Sequence, residues 1–374
     1  MRRRGPGQAV RVLESLDRVK PTTNPYLTQL IAALEHHPGV DVRLFSFRRA
    51  ILGRYDVFHV HWPELTFGGH KRVGRLVRRT LTTLLLVRLS LSRTPIVRTL
   101  HNVVRPSGLG RWDRALLDAI DRRTTVAIRL NEHTEQSPAD RTVTILHGHY
   151  RDWVAPLREP RRPRPRRVLY FGLIRPYKGV EELLAALASR PDLDVELRVV
   201  GSPADAALAR AVRTAAESDP RITHTLRYVD ERTLVEEISA ASLVVLPYRA
   251  MHNSGALLFA LSLDAPVLVP DSPVTRSLAA EVGGRWVHTY DGSVTAAAIA
   301  DALRQVSPEV AGTTDGARPD LRRRTWAATA DAHAAAFALA LKRPSGGSGS
   351  AWASTTDAVR RDGSAPRAAR EHVR

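Results

Sequence analysis

Apolar residues recur along this chain in short blocks separated by polar turns and by longer amphipathic segments. Val10-Arg-Val-Leu13 alternates like a strand, and from Tyr26 the positions Leu27, Leu30, Ile31 and Leu34 fall at helical spacing. Residues 40–47 alternate again, and 56–61 and 95–100 read as short buried strands. Within 72–93, Val73, Leu76, Val77, Leu81, Leu84 and Leu85 share one side and arginines the other. That pattern predicts a helix packed on a sheet through its apolar side. Strand, loop and helix alternate in this way to about residue 155, which predicts a parallel sheet with helices on both faces. Residues 156–167 then carry four prolines and six arginines, a composition unsuited to a helix interior or a central strand. They are expected to form an interdomain linker. The alternation restarts with strand 168–171, helix 180–188, strand 195–200, helix 204–216, strand 243–246, helix 254–263 and strand 266–269. The expected organisation is thus an α/β domain over 1–155, the linker, and a second α/β domain over 168–318. An alanine-rich helix over 319–342 and a disordered low-complexity tail over 343–374 follow.

A length of 374 residues agrees with two domains, each large enough for its own core. The absence of cysteine excludes disulfides, thiolate zinc sites, thiol nucleophiles and iron–sulfur clusters. Met-Arg-Arg-Arg-Gly-Pro is followed by no apolar run of signal length, and the greasiest stretch, 81–91, is too short to span a bilayer. A cytoplasmic protein is expected. Its net charge of +18 favours an anionic partner, although lysine occurs at only four positions among 56 basic residues. The arginines are scattered and match no helix-turn-helix, RNA-recognition or zinc-finger pattern, so no nucleic-acid partner is expected. The basic residues Lys71, Arg72, Arg75, Arg78, Arg79 and Arg88 suggest a second anionic surface, an acidic membrane on whose inner face the protein could sit peripherally.

Two segments suit phosphate chemistry. In Tyr170-Phe-Gly-Leu-Ile-Arg-Pro-Tyr-Lys-Gly179 a strand ends at Gly172, a loop presents Arg175, and Lys178 stands where the next helix begins. Two cations beside a helix N-terminus match a diphosphate whose charge grows as it leaves. In Pro247-Tyr-Arg-Ala-Met-His-Asn-Ser-Gly255, Asn253 or Ser254 can cap the following helix. Gly255 there admits an anion to free backbone N–H groups. Two solvated cations and an ordinary capped core helix are the plain alternatives.

Taken together these segments resemble the donor-binding half of GT-B glycosyltransferases, particularly family four. The resemblance is carried by Phe171-Gly-Leu-Ile-Arg-Pro-Tyr-Lys-Gly179, Leu197-Arg-Val-Val-Gly201, Leu246-Pro-Tyr248 with Ser254-Gly255, and Ala265-Pro-Val-Leu-Val-Pro270. It implies two Rossmann-like parallel-sheet domains facing each other across a cleft. It also implies transfer of a sugar from a nucleotide-diphosphate sugar to a hydroxyl of a glycan, polyprenyl-linked or lipid acceptor, as in polysaccharide biosynthesis. The donor diphosphate would lie on Gly172, Arg175, Lys178, Asn253, Ser254 and Gly255, and the nucleotide on Gly201, Tyr228 and Val229. The sugar nucleotide is a co-substrate, and no cofactor or metal is expected. The sequence departs from the family at its glutamates: His252 and Phe259 stand where retaining members carry acids, so stereochemistry is left open. The absent acids also leave room for a GT-B-fold protein without transferase activity, epimerase-like or a degenerate subunit. A basic nucleic-acid-binding protein is a more distant alternative.

The first half resembles the acceptor domain more loosely, through Asp56-Val-Phe-His-Val-His61, Thr99-Leu-His-Asn102 and Ile145-Leu-His-Gly148. His101 matches the histidine that in the family lies near the transferred sugar. His59 and His61 share one strand face, as do His147 and His149, and with His101 they could ligate zinc or simply be satisfied core residues. Glu64, Asn131 and Glu132 sit near strand ends, and Glu64 is the first candidate for a base that deprotonates an acceptor hydroxyl.

Overall fold

Strands buried on both faces require helices above and below, and the strands that open the two halves, Val10–Glu14 and Arg167–Phe171, are buried at nearly every position. The computed structural model describes residues 8–20, 23–69, 71–101, 108–134, 139, 141–159, 163–249, 251, 253–306 and 318–342. His252 and the expected disordered tail lie outside them. The first half runs β1 (Val10–Glu14), α1 (Pro25–His36), β2 (Val40–Arg43), α2 (Phe47–Leu52), β3 (Val57–Val60), α3 (Glu64–Phe67), α4 (Arg72–Ser92), β4 (Ile96–Leu100), α5 (Arg111–Arg123), β5 (Thr124–Arg129) and β6 (Thr142–Thr144). The second runs α6 (Arg151–Val154), β7 (Arg167–Phe171), α7 (Val180–Ala188), β8 (Glu196–Val200), α8 (Ala206–Ser218), β9 (Ile222–Thr225), α9 (Glu231–Ser239), β10 (Leu243–Val245), α10 (Gly255–Ser262), β11 (Val267–Pro270), α11 (Pro273–Val282), β12 (Val287–Tyr290) and α12 (Ala296–Val306). A last helix, α13 (Trp326–Leu341), follows.

Each half holds a six-stranded parallel sheet, ordered β2-β1-β3-β4-β5-β6 and β12-β11-β10-β7-β8-β9. The strand order reverses between β1 and β3 in the first sheet and between β7 and β10 in the second. Loops leave the carboxyl ends there in opposite directions and open a crevice, the usual ligand site of such sheets.

The chain passes between the halves twice. Ile145 belongs to the first core and Tyr150 to the second; Leu321 belongs to the second core and Trp326 to the first. Helix α13 therefore closes the first half, laying Trp326, Phe337 and Ala340 against Tyr26, Leu30 and Val12. The Pro/Arg-rich segment expected as the linker rests on the second half. Leu157 packs in its core, Arg164 donates to the Ala240 carbonyl at 2.9 Å, and Ser242 donates back to the Arg164 carbonyl. The segment's last residue, Arg167, already pairs in the sheet as the first of β7.

Helix α4 forms where its periodicity predicts, but of the six apolar residues expected to pack only Leu85 is buried. The buried residues are Thr82, Leu85, Leu86 and Leu89. Val73, Leu76, Val77, Leu84, Val87 and Leu91 point outward, with exposures from 49% at Leu84 to 82% at Leu91. A helix carrying apolar residues on two sides can bury only one against its own sheet, and the leucines at 85, 86 and 89 fit the groove over β3 and β4.

Candidate active site between the two sheets

Strand β7 delivers the chain to Gly172, and the loop returns through Arg175 and Lys178 to the start of α7. Two glycines make this geometry possible. A Cβ on Gly201, which ends β8 at φ +152°, would stand 1.7 Å from the Gly172 carbonyl oxygen. One on Gly179, at φ +67°, would stand 1.9 Å from the Pro247 oxygen. The ends of β7, β8 and β10 thus meet closely around Lys178. Its ammonium lies 4.9 Å from the Tyr248 ring centre. Burial, and then the neighbouring Arg175, lower its pKa to about 8. Arg167 and Arg198 share Glu237, Arg221 holds Asp219, and Arg249 holds Glu182. Arg175 and Lys178, by contrast, face the crevice without a carboxylate partner among the described residues.

Across the crevice Ser254 caps α10, its hydroxyl accepting from the Leu257 N–H at 3.1 Å. Gly255 is the first helical residue, and a Cβ there would meet the Tyr150 hydroxyl at 3.1 Å. The sequence allowed either Asn253 or Ser254 as the cap, and the structure divides the work. The Asn253 amide joins the two halves: its Oδ1 accepts from Asn131 at 2.7 Å, and its Nδ2 donates to the His101 carbonyl at 3.2 Å. Phe259, where retaining relatives carry an acid, is buried against Tyr150 and Phe171. Tyr228 is exposed and Val229 packs on the second core, both just beyond the carboxyl end of β9.

On the first sheet His101 ends β4 directly opposite this helix terminus. Its ring stacks on Trp62 at 4.1 Å and meets Tyr26 edge-on at 5.1 Å. Its Nε2 lies 3.0 Å from His61 Nδ1. Behind it stands Glu14, buried at the end of β1, with Oε1 2.9 Å from His59 Nδ1 and Oε2 3.4 Å from His61 Nε2. The second nitrogen of His59 takes the Thr99 hydroxyl at 2.9 Å. Parallel pairing places Glu14 beside His59 and so creates this cluster. Burial, followed by the adjacent histidines, holds His101 well below the ordinary imidazole range. Burial, then the His59 charge, puts His61 at about 4. Burial would raise the Glu14 carboxyl, but its histidine partners outweigh that and keep it ionised. Of the histidines weighed for zinc, His59 and His61 converge, with Glu14, to within 4.8 Å. His147 turns to the Gly148 carbonyl and His149 to the Arg151 N–H. Glu64 opens α3 after the Trp62-Pro63 turn, and burial raises its pKa. Glu14 escaped the sequence reading, although an acid closing an apolar strand was its signal.

A cleft of about 320 Å³ runs between the halves, lined by Asn131, Glu132 and His147 on one side and Asn253, Ser254 and Leu257 on the other. Two facing Rossmann-like domains, with an unpaired cation pair and a capped helix N-terminus across from a histidine, define a GT-B glycosyltransferase. Residues 165–306 match the family described as Glycosyl transferases group 1. The chain is 46% identical over 332 residues to the GDP-mannose:glycolipid 4-beta-D-mannosyltransferase of Xanthomonas campestris pv. campestris, covering 89% of this chain and 93% of that protein. It belongs to the group 1 glycosyltransferases. Solved structures agree in fold. Anabaena HepE with UDP superposes with a TM-score of 0.54 at 14% identity, over 89% of this chain and 97% of that one. The starch synthase IV catalytic domain from Arabidopsis thaliana superposes with a TM-score of 0.58 at 11% identity, over 90% and 100%.

Proposed function

We propose that this enzyme transfers mannose from GDP-mannose to a hydroxyl of a glycolipid with inversion at the anomeric carbon. The relative's activity supports the donor and acceptor. The observation that carries the mechanism is the Asn253 bond to the His101 carbonyl, which fixes the α10 terminus beside His101 across the cleft. The diphosphate lies on Arg175, Lys178 and the Ser254–Gly255 N–H groups, and the guanosine extends past Gly201 toward Tyr228 and Val229. These cations and the helix terminus stabilise the leaving diphosphate as the C1–O bond breaks. GDP-mannose carries its sugar in α linkage, so a β-mannoside requires attack from the opposite face. The acceptor hydroxyl then needs a base, and His101, held uncharged at neutral pH by its burial, takes that role. Glu64, whose carboxyl burial holds above its ordinary range, is the alternative base. Charge on the leaving group is met by protein cations, so transfer is expected to persist in EDTA.

Incubating the purified enzyme with GDP-mannose and a lipid extract containing acceptor should place mannose in the organic phase, released by β-mannosidase. Release by α-mannosidase alone would overturn inversion.

A glycolipid acceptor also gives the outward face of α4 a use. Among the described residues no helix is long and apolar enough to cross a membrane. The outward stripe of α4 is instead suited to lie in an interface, with Arg72 and Arg78 exposed on the same helix, which contains no acid. A second copy would meet like charge there, whereas an anionic leaflet meets opposite charge. Leu65, 64% exposed on α3 just past Glu64, continues the stripe toward the cleft mouth.

A further inference from the structure

We infer that Glu14 and His61 form a proton-holding relay behind His101, in which the buried carboxylate fixes the tautomer of both rings and stabilises the charge that His101 acquires. The inference rests on the proposed role of His101 as base, and it names the residues that make such a base effective.

The geometry permits one consistent assignment. Glu14 Oε2 and His61 Nε2 face each other at 3.4 Å as an ion-pair contact, and neither has a hydrogen-bond partner among the described residues. A carboxylate only accepts, so His61 carries its proton on Nε2 and presents a lone pair at Nδ1. His61 Nδ1 lies 3.0 Å from His101 Nε2, so His101 must donate there and keeps its Nδ1 unprotonated. A ring flanked by Trp62 and Tyr26 has little freedom to turn away from this bond. His101 therefore has an unprotonated Nδ1, while its other nitrogen is tied through His61 to a buried anion.

The cluster sits where the first sheet reverses, between β1 and β3. The groups that face it come from every packed element: Glu14 on β1, His59 and His61 at β3, Thr99 on β4, Tyr26 on α1, His147 after β6 and His333 on α13. Only Glu14 among them is an anion. A fully buried carboxylate is expensive, and Glu14 is held ionised at rest by its histidine partners, which leaves an anion in place to balance a charge on the next ring. In that step the acceptor O–H proton passes to His101 Nδ1, and the oxygen pair forms the new bond to C1. The C1–O bond to the diphosphate breaks, and its electron pair leaves with the nucleotide. The imidazolium formed is balanced through His61 by Glu14 and later releases its proton to solvent. Glu14 and His61 are positioning residues, since neither touches the reacting atoms.

The test compares wild type with Glu14→Gln and His61→Gln, using transfer rate against pH, with melting temperature and GDP binding as controls for the fold. Glu14→Gln is expected to lower kcat by about a hundredfold with little change in donor KM. The acid limb of its kcat/KM profile should move to lower pH, because the anion that makes His101 more basic is gone. A folded Glu14→Gln enzyme with wild-type kcat and an unmoved acid limb would overturn the relay. Imidazole ¹⁵N spectra of histidine-labelled wild type give a second reading that does not depend on any variant folding: His101 should be protonated at Nε2. Protonation at Nδ1 overturns the inference, as does stoichiometric zinc whose chelation lowers the melting temperature, because zinc would occupy the same lone pairs. Wild-type enzyme that transfers no mannose would refute the proposed function instead, leaving the spectra to decide the relay.

Discussion

Lys178 offers a quantitative test of the donor site. Burial and the adjacent Arg175 lower its pKa to about 8, so the free enzyme begins to lose this charge in mildly alkaline solution. A diphosphate between the two cations restores the charge, and binding above pH 8 must take up a proton. Apparent affinity for GDP-mannose scales with the protonated fraction, so it should be nearly constant below pH 7 and about tenfold weaker at pH 9. Proton uptake should be close to half a proton per site at pH 8. Isothermal titration in two buffers of different ionisation enthalpy measures both quantities. Lys178→Met supplies the control: it should bind about 10- to 100-fold more weakly at pH 7 and lose the pH dependence that ligand ionisation does not explain. The same change removes an unpaired ammonium from a buried site. Its melting temperature should therefore rise, by the equivalent of about 1–3 kcal/mol after loss of the Tyr248 contact. Wild-type affinity that varies less than twofold between pH 7 and 9, with no proton uptake, would refute the placement of the diphosphate on Lys178.

Three further expectations follow from other parts of the molecule. Gly201→Ala should destabilise by about 3 kcal/mol or more in chemical denaturation, since its methyl would overlap the Gly172 carbonyl at 1.7 Å. Stability should fall on acidification below about pH 6.5. His61 and His147 at about 4 and His333 at about 3 are all depressed first by burial, so the unfolded chain binds protons there that the folded protein refuses. Stability from these groups is complete above the unfolded value and is lost as pH falls toward the folded ones. About 4 kcal/mol should be gone by pH 5.5, readable in urea midpoints at pH 7.5 and 5.5. Leu76→Glu combined with Leu84→Glu should leave the melting temperature nearly unchanged, because both side chains are outside the core. The pair should abolish co-sedimentation with anionic vesicles at low salt, and retained pelleting would exclude α4 as the contact.

The second half was legible nearly residue by residue. Short apolar strands in a parallel sheet leave few alternatives, and glycines at 179 and 201 mark close approaches that no other residue permits. The positions of Arg175, Lys178, Ser254 and Gly255 in the fold could be read because they follow strand ends at short offsets. The first half gave less. His101 and His61 were visible as strand-end histidines, whereas Glu14, which shares their cluster, is 45 residues from His59. Asn253 looked like a cap and proved to be a tie to Asn131, 122 residues away. Such partnerships depend on register and on how two sheets face each other, which local pattern does not encode.

The hydrophobic pattern by itself determined that this protein has two parallel sheets and where their strands lie. Those features follow from backbone hydrogen bonding and burial over a few neighbouring residues. Only the tertiary structure decided which side of α4 is buried, that α13 returns to the first sheet, and that Glu14 stands behind His61 and His101. Periodicity shows that a helix has an apolar side, but which side is buried depends on the shape of the surface it meets. A carboxylate at a strand end likewise acquires a role only from the side chains that neighbouring strands bring to it.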